Sequence, residues 1–221
     1  MKKHILLAAV SLIFLLNTAI GQDFNEVLRN SFDTFEKDST LTGKFNANNK
    51  LVLIANKWND QWITHYYAAY GYTILSFLEK NEDKKDAYLN EADKQLESAK
   101  TLLKKENDEW YVLAALVANA RISVKPMSRW KKYGDIFDED LAKAKSLQPD
   151  NPRIYYLEGM KFYHTPKMFG GGEKVALPYF EKADNLFTNE SADSILKPFW
   201  GKMSNKGMLL KCREVVDNEK K

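Results

Sequence analysis

The chain has 221 residues, and its 33 Lys and Arg against 30 Asp and Glu give a formal net charge of +3. This balance gives no electrostatic reason to expect nucleic acid or an anionic membrane as a partner. The only cysteine, Cys212, excludes an internal disulfide. We expect it to be a small packing residue, with pairing to a second chain as the alternative. A chain of this length suits one domain with a substantial core.

The N-terminal segment, residues 1–21, predicts a signal peptide. Lys2 and Lys3 precede an apolar run from Ile5 to Leu16, and small residues stand at Ala19 and Gly21. The run is too short to span a bilayer of about 30 Å, and the order of its parts is typical of a cleaved export signal. We expect cleavage after Gly21 and a periplasmic or secreted mature chain without membrane insertion. An uncleaved anchor is the alternative.

The rest of the chain reads as helix. Apolar residues recur at helical spacing in nearly every segment, and no segment alternates over the length of a strand. We therefore predict an all-α fold with an N-terminal helix pair over 22–61, beginning after a cap at Asp23, and a C-terminal capping helix and tail over 199–221. Three further pairs are expected within 62–198, over 62–104, 109–148 and 152–188. The predicted helices span about 24–35, 44–58, 62–78, 84–103, 109–124, 135–147, 153–163, 174–187 and 199–216.

Those three pairs share one residue pattern. In the first helix of each pair an aromatic residue precedes a small residue by four positions, at Tyr67/Gly71, Trp110/Ala114 and Tyr155/Gly159. In the second helix a bulky residue follows Ala or Phe by four positions and precedes Ala by three. The three copies are Ala92/Leu96/Ala99, Phe137/Leu141/Ala144 and Ala176/Phe180/Ala183. The small residue allows the partner helix to approach closely. Repetition of this kind predicts pairs that bury their apolar faces by stacking on one another.

At these residues the chain resembles the tetratricopeptide repeat family, in the short exported form found in Gram-negative bacteria, with about three degenerate copies over 62–187. The resemblance implies a right-handed superhelical stack of helix pairs, an α-solenoid. The copies are longer than the usual 34 residues, because additions fall between the two helices of each pair, at 80–85, 125–134 and 165–172. The family serves many unrelated functions, so the resemblance implies no particular partner.

The first helix of each pair is expected to line the concave surface of such a stack. Counting from the packing aromatics predicts a tyrosine-rich groove there, since aromatic side chains are favoured at interfaces. Its predicted members are His65, Tyr72, Tyr111, Asn119, Arg153, Tyr156 and Tyr163. The alternative is that the final helix or the N-terminal pair folds over this surface, which would make the tyrosines part of the core.

Little in the sequence points to catalysis or to a metal. His65 and His164 stand far apart, without a ligand at metal-binding spacing, and no Gly-x-Ser-x-Gly motif occurs. We therefore expect no catalytic residue, no metal and no cofactor. The run Gly170–Gly172 precedes a predicted helix and could offer backbone N–H groups to an anion. A tight chain reversal that needs glycine is the favoured alternative.

These patterns predict an exported, non-enzymatic interaction or scaffold protein of the cell envelope. Its partner would be a peptide or protein segment bound in the groove, and not nucleic acid. The alternative is a receptor that binds a small molecule or a glycan in the same groove. An open channel would favour the first hypothesis, and a closed pocket of roughly 300–1,000 Å³ the second.

Overall fold

The computed structural model describes residues 24–219. This part of the chain contains α-helices and no strand, so the predicted all-α fold is confirmed. The predicted signal peptide at 1–21 and the predicted cap at Asp23 lie outside the described residues. The helices are α1 (24–37), α2 (Leu41–Lys57), α3 (Trp62–Leu78), α4 (Glu82–Leu102), α5 (Asp108–Val124), α6 (Pro126–Leu147), α7 (Pro152–His164), α8 (Glu173–Thr188) and α9 (Lys202–Asn218), with a 3₁₀ turn at Lys167–Phe169.

The helices pack as consecutive pairs. Helix α3 packs on α4, α5 on α6 and α7 on α8, while α2 covers α3 and α9 covers α8. Short connections at 79–81, 125 and 165–172 join the members of each pair, so the two helices run in opposite directions and the three connections lie at one end of the stack. We call this end the connection end.

The residues added between paired helices are mostly helical. Helix α6 begins at Pro126, although we predicted its start at 135. Proline fits the first position of a helix, because its missing N–H has no partner there in any case. Helix α4 begins at Glu82, where the Asn81 side chain accepts a hydrogen bond from the Lys84 N–H at 2.9 Å. The additions therefore lengthen α4 and α6 at the connection end.

The small residue of the last pair makes the close approach that its pattern predicts. A Cβ atom added at Gly159 would lie 2.7 Å from Cε1 of Phe180, a fully buried ring on the partner helix α8. Gly71 instead faces Asn48 on the preceding helix α2. Cys212 is completely buried with Phe180 and Leu209 in a small cluster between α8 and α9, as a packing residue should be.

The glycine run at 170–172 forms a chain reversal. Gly170 and Gly172 have φ values of 82° and 101°, which favour glycine. The N–H of Gly172 donates to the Phe162 carbonyl at 2.8 Å, and that of Gly170 to the Lys167 carbonyl at 3.1 Å. The N–H of Gly171 donates to the Pro166 carbonyl at 3.3 Å. These donors are occupied within the chain, so the run offers no free donors to an anion.

Candidate ligand-binding site

Two of the predicted groove residues face helix α4. His65 is 8% exposed, and its Nδ1 lies 2.7 Å from Oε1 of Gln95. The half-buried ring of Tyr72 stacks on Tyr88, with 6.4 Å between the ring centroids. Both partners belong to the second helix of the same pair. The structure therefore turns these two side chains toward α4.

Two other predicted groove residues lie near α8 and α9. Tyr156 is half-buried against Phe180, with 6.4 Å between centroids, and its hydroxyl hydrogen-bonds to Ser204 at the start of α9. Tyr163 packs against the α8–α9 cluster. Asn119 is half-buried on α5. No contact joins these residues to Tyr72 in the described structure, so a continuous strip through them stays a prediction.

A non-helical segment, residues 189–201, crosses the first-helix face of the stack. We call it the C-terminal strap. The Tyr67 hydroxyl donates to the Ile195 carbonyl at 3.2 Å, and Nε1 of Trp200 donates to the Tyr66 hydroxyl at 2.7 Å. The Trp200 ring also lies 5.0 Å from the ring of Tyr70. The strap thus makes Tyr66, Tyr67 and Tyr70 of α3 part of the core.

Arg153 holds the strap from α7. Its side chain is 1% exposed, and its Nη1 donates to Glu109 at 3.1 Å and to Glu190 at 2.6 Å. Its Nη2 donates to the carbonyl of Pro198 at 2.6 Å. Two carboxylates and one carbonyl therefore accept hydrogen bonds from both terminal nitrogens of this buried guanidinium. While the strap is in place, Arg153 is not accessible to a partner.

An acidic cleft opens beside this ion cluster. It has a volume of about 710 Å³ and continues into a cavity of about 430 Å³ that shares Asp108, Glu109 and Glu190. Burial raises the pKa of Glu109 to about 7, although Arg153 and the Tyr66 hydroxyl act to lower it. The carboxylates that line the two volumes are Asp108, Glu109, Asp150, Glu190 and Asp193. Arg153 pairs with Glu109 and Glu190, so Asp108, Asp150 and Asp193 are the carboxylates that form no salt bridge in the described structure and can attract a cationic ligand.

The raised pKa of Glu109 predicts a pH dependence of stability. Between its usual value of 4.5 and about 7, the folded chain binds a proton there that the unfolded chain has released. The stability that this proton contributes is fully present below pH 4.5 and is lost as the pH rises through 7. We expect Glu109→Gln, which is neutral at every pH, to lose less stability than wild type across this window. Urea unfolding at several pH values measures the two slopes, and equal slopes would contradict the expectation.

A separate cavity, of about 250 Å³, lies where α4 ends and α5 begins; we call it the α4–α5 pocket. The Trp110 indole is fixed in it, because Nε1 donates to the Leu96 carbonyl at 2.8 Å. The Tyr111 ring lies edge-on to the indole, with 5.1 Å between the ring centroids. The ammonium of Lys100 lies 4.7 Å from the indole centroid. The pocket is lined by Lys100, Leu103, Lys104, Lys105, Glu106, Asn107, Trp110 and Tyr111.

Tyr111 is the predicted groove residue that lines this pocket. Its hydroxyl donates to Oε1 of Glu106 at 2.9 Å, and the other oxygen of Glu106 pairs with Lys143 at 2.8 Å. Partial burial and the hydrogen bond to Glu106 raise the pKa of Tyr111, so the phenol is a neutral donor at neutral pH. The lysines were not among the predicted site residues. Their clustering around an aromatic pair was the signal that could have identified them.

No group of His, Cys, Asp and Glu suited to a metal ion occurs within residues 24–219. In the same range, no helix is both long and apolar enough to cross a membrane. The region that the structure describes thus gives no sign of a metal centre formed by protein ligands alone.

Comparisons with known proteins found similarity among solved structures. No protein-family model and no curated protein matches the chain. Among solved structures, the chain is similar to the HusA haemophore from Porphyromonas gingivalis, with 29% sequence identity and a TM-score of 0.75. The similarity covers 86% of this chain and 93% of that one. The two proteins therefore resemble each other over nearly the whole fold.

Proposed function

We propose that this protein is an exported, non-enzymatic binding protein whose ligand is a porphyrin such as haem. The observation that carries the proposal is the similarity to a haemophore, at 29% identity and over 86% of this chain. It favours the small-molecule alternative over the peptide groove. A porphyrin is flat and apolar with two carboxylates at one edge, so its site needs an apolar or aromatic surface and nearby cations.

The α4–α5 pocket meets these needs. Trp110 and Tyr111 offer aromatic surface, while Lys104 and Lys105 are exposed, form no salt bridge in the described structure and are free to pair with the carboxylates. A tyrosine oxygen is also a known axial ligand of haem iron. The pocket's volume of about 250 Å³ is slightly below the range typical of enclosed ligand sites. We therefore expect one edge of the ring to remain in solvent.

A basic peptide segment is the second candidate ligand. The acidic cleft favours it, because Asp108, Asp150 and Asp193, which form no salt bridge in the described structure, line its two volumes of about 710 and 430 Å³. The same carboxylates disfavour a porphyrin there, since they would repel its propionates. The two ligands would thus bind at separate places.

We further infer that α3–α8 form a tetratricopeptide-like right-handed superhelix. The pattern residues of each copy fall within one helix pair, and the pairs pack consecutively. The contact of Gly159 with Phe180 matches the close approach that the repeat requires. The strap and α1 would then occupy part of the concave surface.

The porphyrin proposal predicts the effect of charge reversal at the pocket. In titrations with haemin and with metal-free protoporphyrin, followed by absorption, the wild-type chain should bind both. Lys104→Glu with Lys105→Glu should weaken both affinities by about tenfold or more, because like charges would then face the propionates. The matched control, Lys131→Glu with Lys132→Glu on α6, should bind as wild type does. An equal loss of porphyrin affinity in both double variants, or no porphyrin binding by wild type, would contradict the proposal.

Tyr111→Phe separates stacking from iron ligation. The substitution keeps the ring and removes the oxygen. If the phenol ligates iron, haemin binding should weaken and its absorption spectrum should shift, while binding of metal-free protoporphyrin stays unchanged. An unchanged haemin spectrum would leave stacking and charge pairing as the basis of binding and would refute the ligand role of Tyr111.

A further inference from the structure

The first two turns of α6 expose apolar side chains among cations. Met127 is 92% exposed and Trp130 is 63% exposed, at the connection end of the stack. Side chains this exposed protrude from the surface and do not line a pocket. The cations around them are Lys125, Arg129, Lys131 and Lys132. Exposed tryptophan and methionine in such a setting need an explanation beyond folding, since they contribute little to the core.

A second apolar protrusion lies on the 3₁₀ turn between α7 and α8. Met168 is 83% exposed and Phe169 is 72% exposed. Hydrogen bonds within the turn, from the N–H groups of residues 169–172 to carbonyls at 162–167, fix the backbone that presents them. Lys174 flanks the pair and forms no salt bridge in the described structure, whereas the ammonium of Lys167 pairs with Glu173 at 3.4 Å and Glu219 at 3.2 Å. The turn thus combines exposed apolar side chains with one unpaired lysine, as α6 does with two.

The two protrusions lie at the same end of the stack. The Lys161 ammonium of α7 lies 2.7 Å from Oδ2 of Asp138 on α6, which sets the two helices side by side. At about 1.5 Å per residue, Trp130 lies two turns beyond this contact toward the connection end. Helix α7 runs toward the same end and leads directly into the turn that carries Met168 and Phe169. The exposed apolar side chains of α6 and of the 3₁₀ turn therefore both lie beyond the Lys161–Asp138 contact, toward the connection end.

The charges of Lys131 and Lys132, next to Trp130, are not balanced by ion pairs in the described structure. Lys131 and Lys132 form no salt bridge within residues 24–219. Two acidic groups of α4 on this side are already paired: Asp86 with Arg121 at 3.0 Å and Arg129 at 2.6 Å, and Glu82 with Lys125 at 3.6 Å. The lysines beside Trp130 are thus free to attract anions.

We propose that this protruding surface, formed by Met127, Trp130, Met168 and Phe169 with the neighbouring lysines, docks the protein peripherally on an anionic lipid surface. Tryptophan is favoured at the level of lipid headgroups, and lysines near a bilayer are attracted by anionic headgroups. A lipid surface takes up protruding apolar side chains without a matching pocket, and the unpaired lysines beside them complement anionic headgroups. No described helix can cross the bilayer, so the contact is superficial. This surface is independent of the α4–α5 pocket.

Sedimentation with vesicles tests the proposal on the mature chain. Wild type should co-sediment with vesicles that contain phosphatidylglycerol at low salt, and much less with phosphatidylcholine alone or at high salt. Lys131→Glu with Lys132→Glu, and separately Trp130→Ala with Phe169→Ala, should each weaken binding by about tenfold. The control is Lys104→Glu with Lys105→Glu, which should bind vesicles as wild type does. Circular dichroism verifies that each variant is folded.

Three results of the vesicle assay would overturn the docking proposal. The first is wild-type chain that stays in solution with anionic vesicles at low salt. The second is an equal loss of vesicle binding in the control variant Lys104→Glu with Lys105→Glu. The third is vesicle binding that neither surface variant weakens. Loss of binding to an envelope protein in these variants, without any vesicle binding, would assign the surface to a protein partner and would also overturn it. None of these outcomes bears on porphyrin binding, which the haemin titration measures separately.

Discussion

Replacing Arg153 by methionine is expected to destabilise the folded chain by about 3–5 kcal/mol, because it leaves buried carboxylates without their cation. Arg153 donates to Glu109, Glu190 and the Pro198 carbonyl while only 1% exposed. Its loss should also release the strap, which urea unfolding and the near-ultraviolet signal of Trp200 would both report. Because the pKa of Glu109 is about 7, the loss should be smaller at pH 5 than at pH 8.

An exposed ion pair provides the control for Arg153. Arg213 pairs with Glu181 at 3.1 Å, with side chains 50% and 47% exposed. Such pairs contribute about 0–1 kcal/mol, so Arg213→Met should have little effect. Adding Glu109→Gln to Arg153→Met should restore part of the lost stability at pH 8, since one buried charge is removed. Equal effects of the two arginine substitutions would mean that the strap is not held by Arg153.

Replacing Gly159 by leucine is expected to lower the free energy of unfolding by about 1–3 kcal/mol or more, because the site is already filled. The first added carbon would lie 2.7 Å from Cε1 of Phe180, and that ring is fully buried and cannot swing away. Helices α7 and α8 would have to separate. Thermal unfolding followed by circular dichroism gives the size of the effect.

Gly207 is the matched control for Gly159. It also lies within a helix, but it is exposed and an added Cβ would have no atom within 4 Å. Gly207→Leu should therefore stabilise the chain slightly, by roughly 0.5–1 kcal/mol, because leucine has the higher helix propensity. An unchanged melting temperature for Gly159→Leu would contradict the close packing of α7 on α8.

The sequence predicted the helices and their pairing well, because apolar periodicity is a local signal. Its two largest differences from the structure have physical reasons. Pro126 can end one helix or begin the next, and only packing against α4, through Arg129 and Asp86, favours the second. The strap has no periodic pattern, and its contacts join residues far apart in sequence, such as Tyr66 and Trp200. No local pattern encodes such a pairing.

The candidate site was predictable only in part. Tyr111 emerged from the helix pattern, because its position relative to Trp110 places it off the packing face. The lysines of the α4–α5 pocket did not, since charged residues in a turn usually only contact solvent. Arg153 was expected at a groove surface, but its burial depends on Glu190, which stands in the non-periodic strap. Counting positions along a helix cannot show which other segment covers them.

Amide hydrogen exchange with and without bound protoporphyrin tests the central proposal most directly. The α4–α5 pocket is formed by the end of α4, the turn at 103–107 and the first turn of α5. The proposal predicts that porphyrin slows exchange over residues 100–111 and leaves the strap at 189–201 unchanged. Slower exchange confined to the strap and the acidic cleft would contradict the site, and unchanged exchange everywhere at saturating porphyrin would contradict the function.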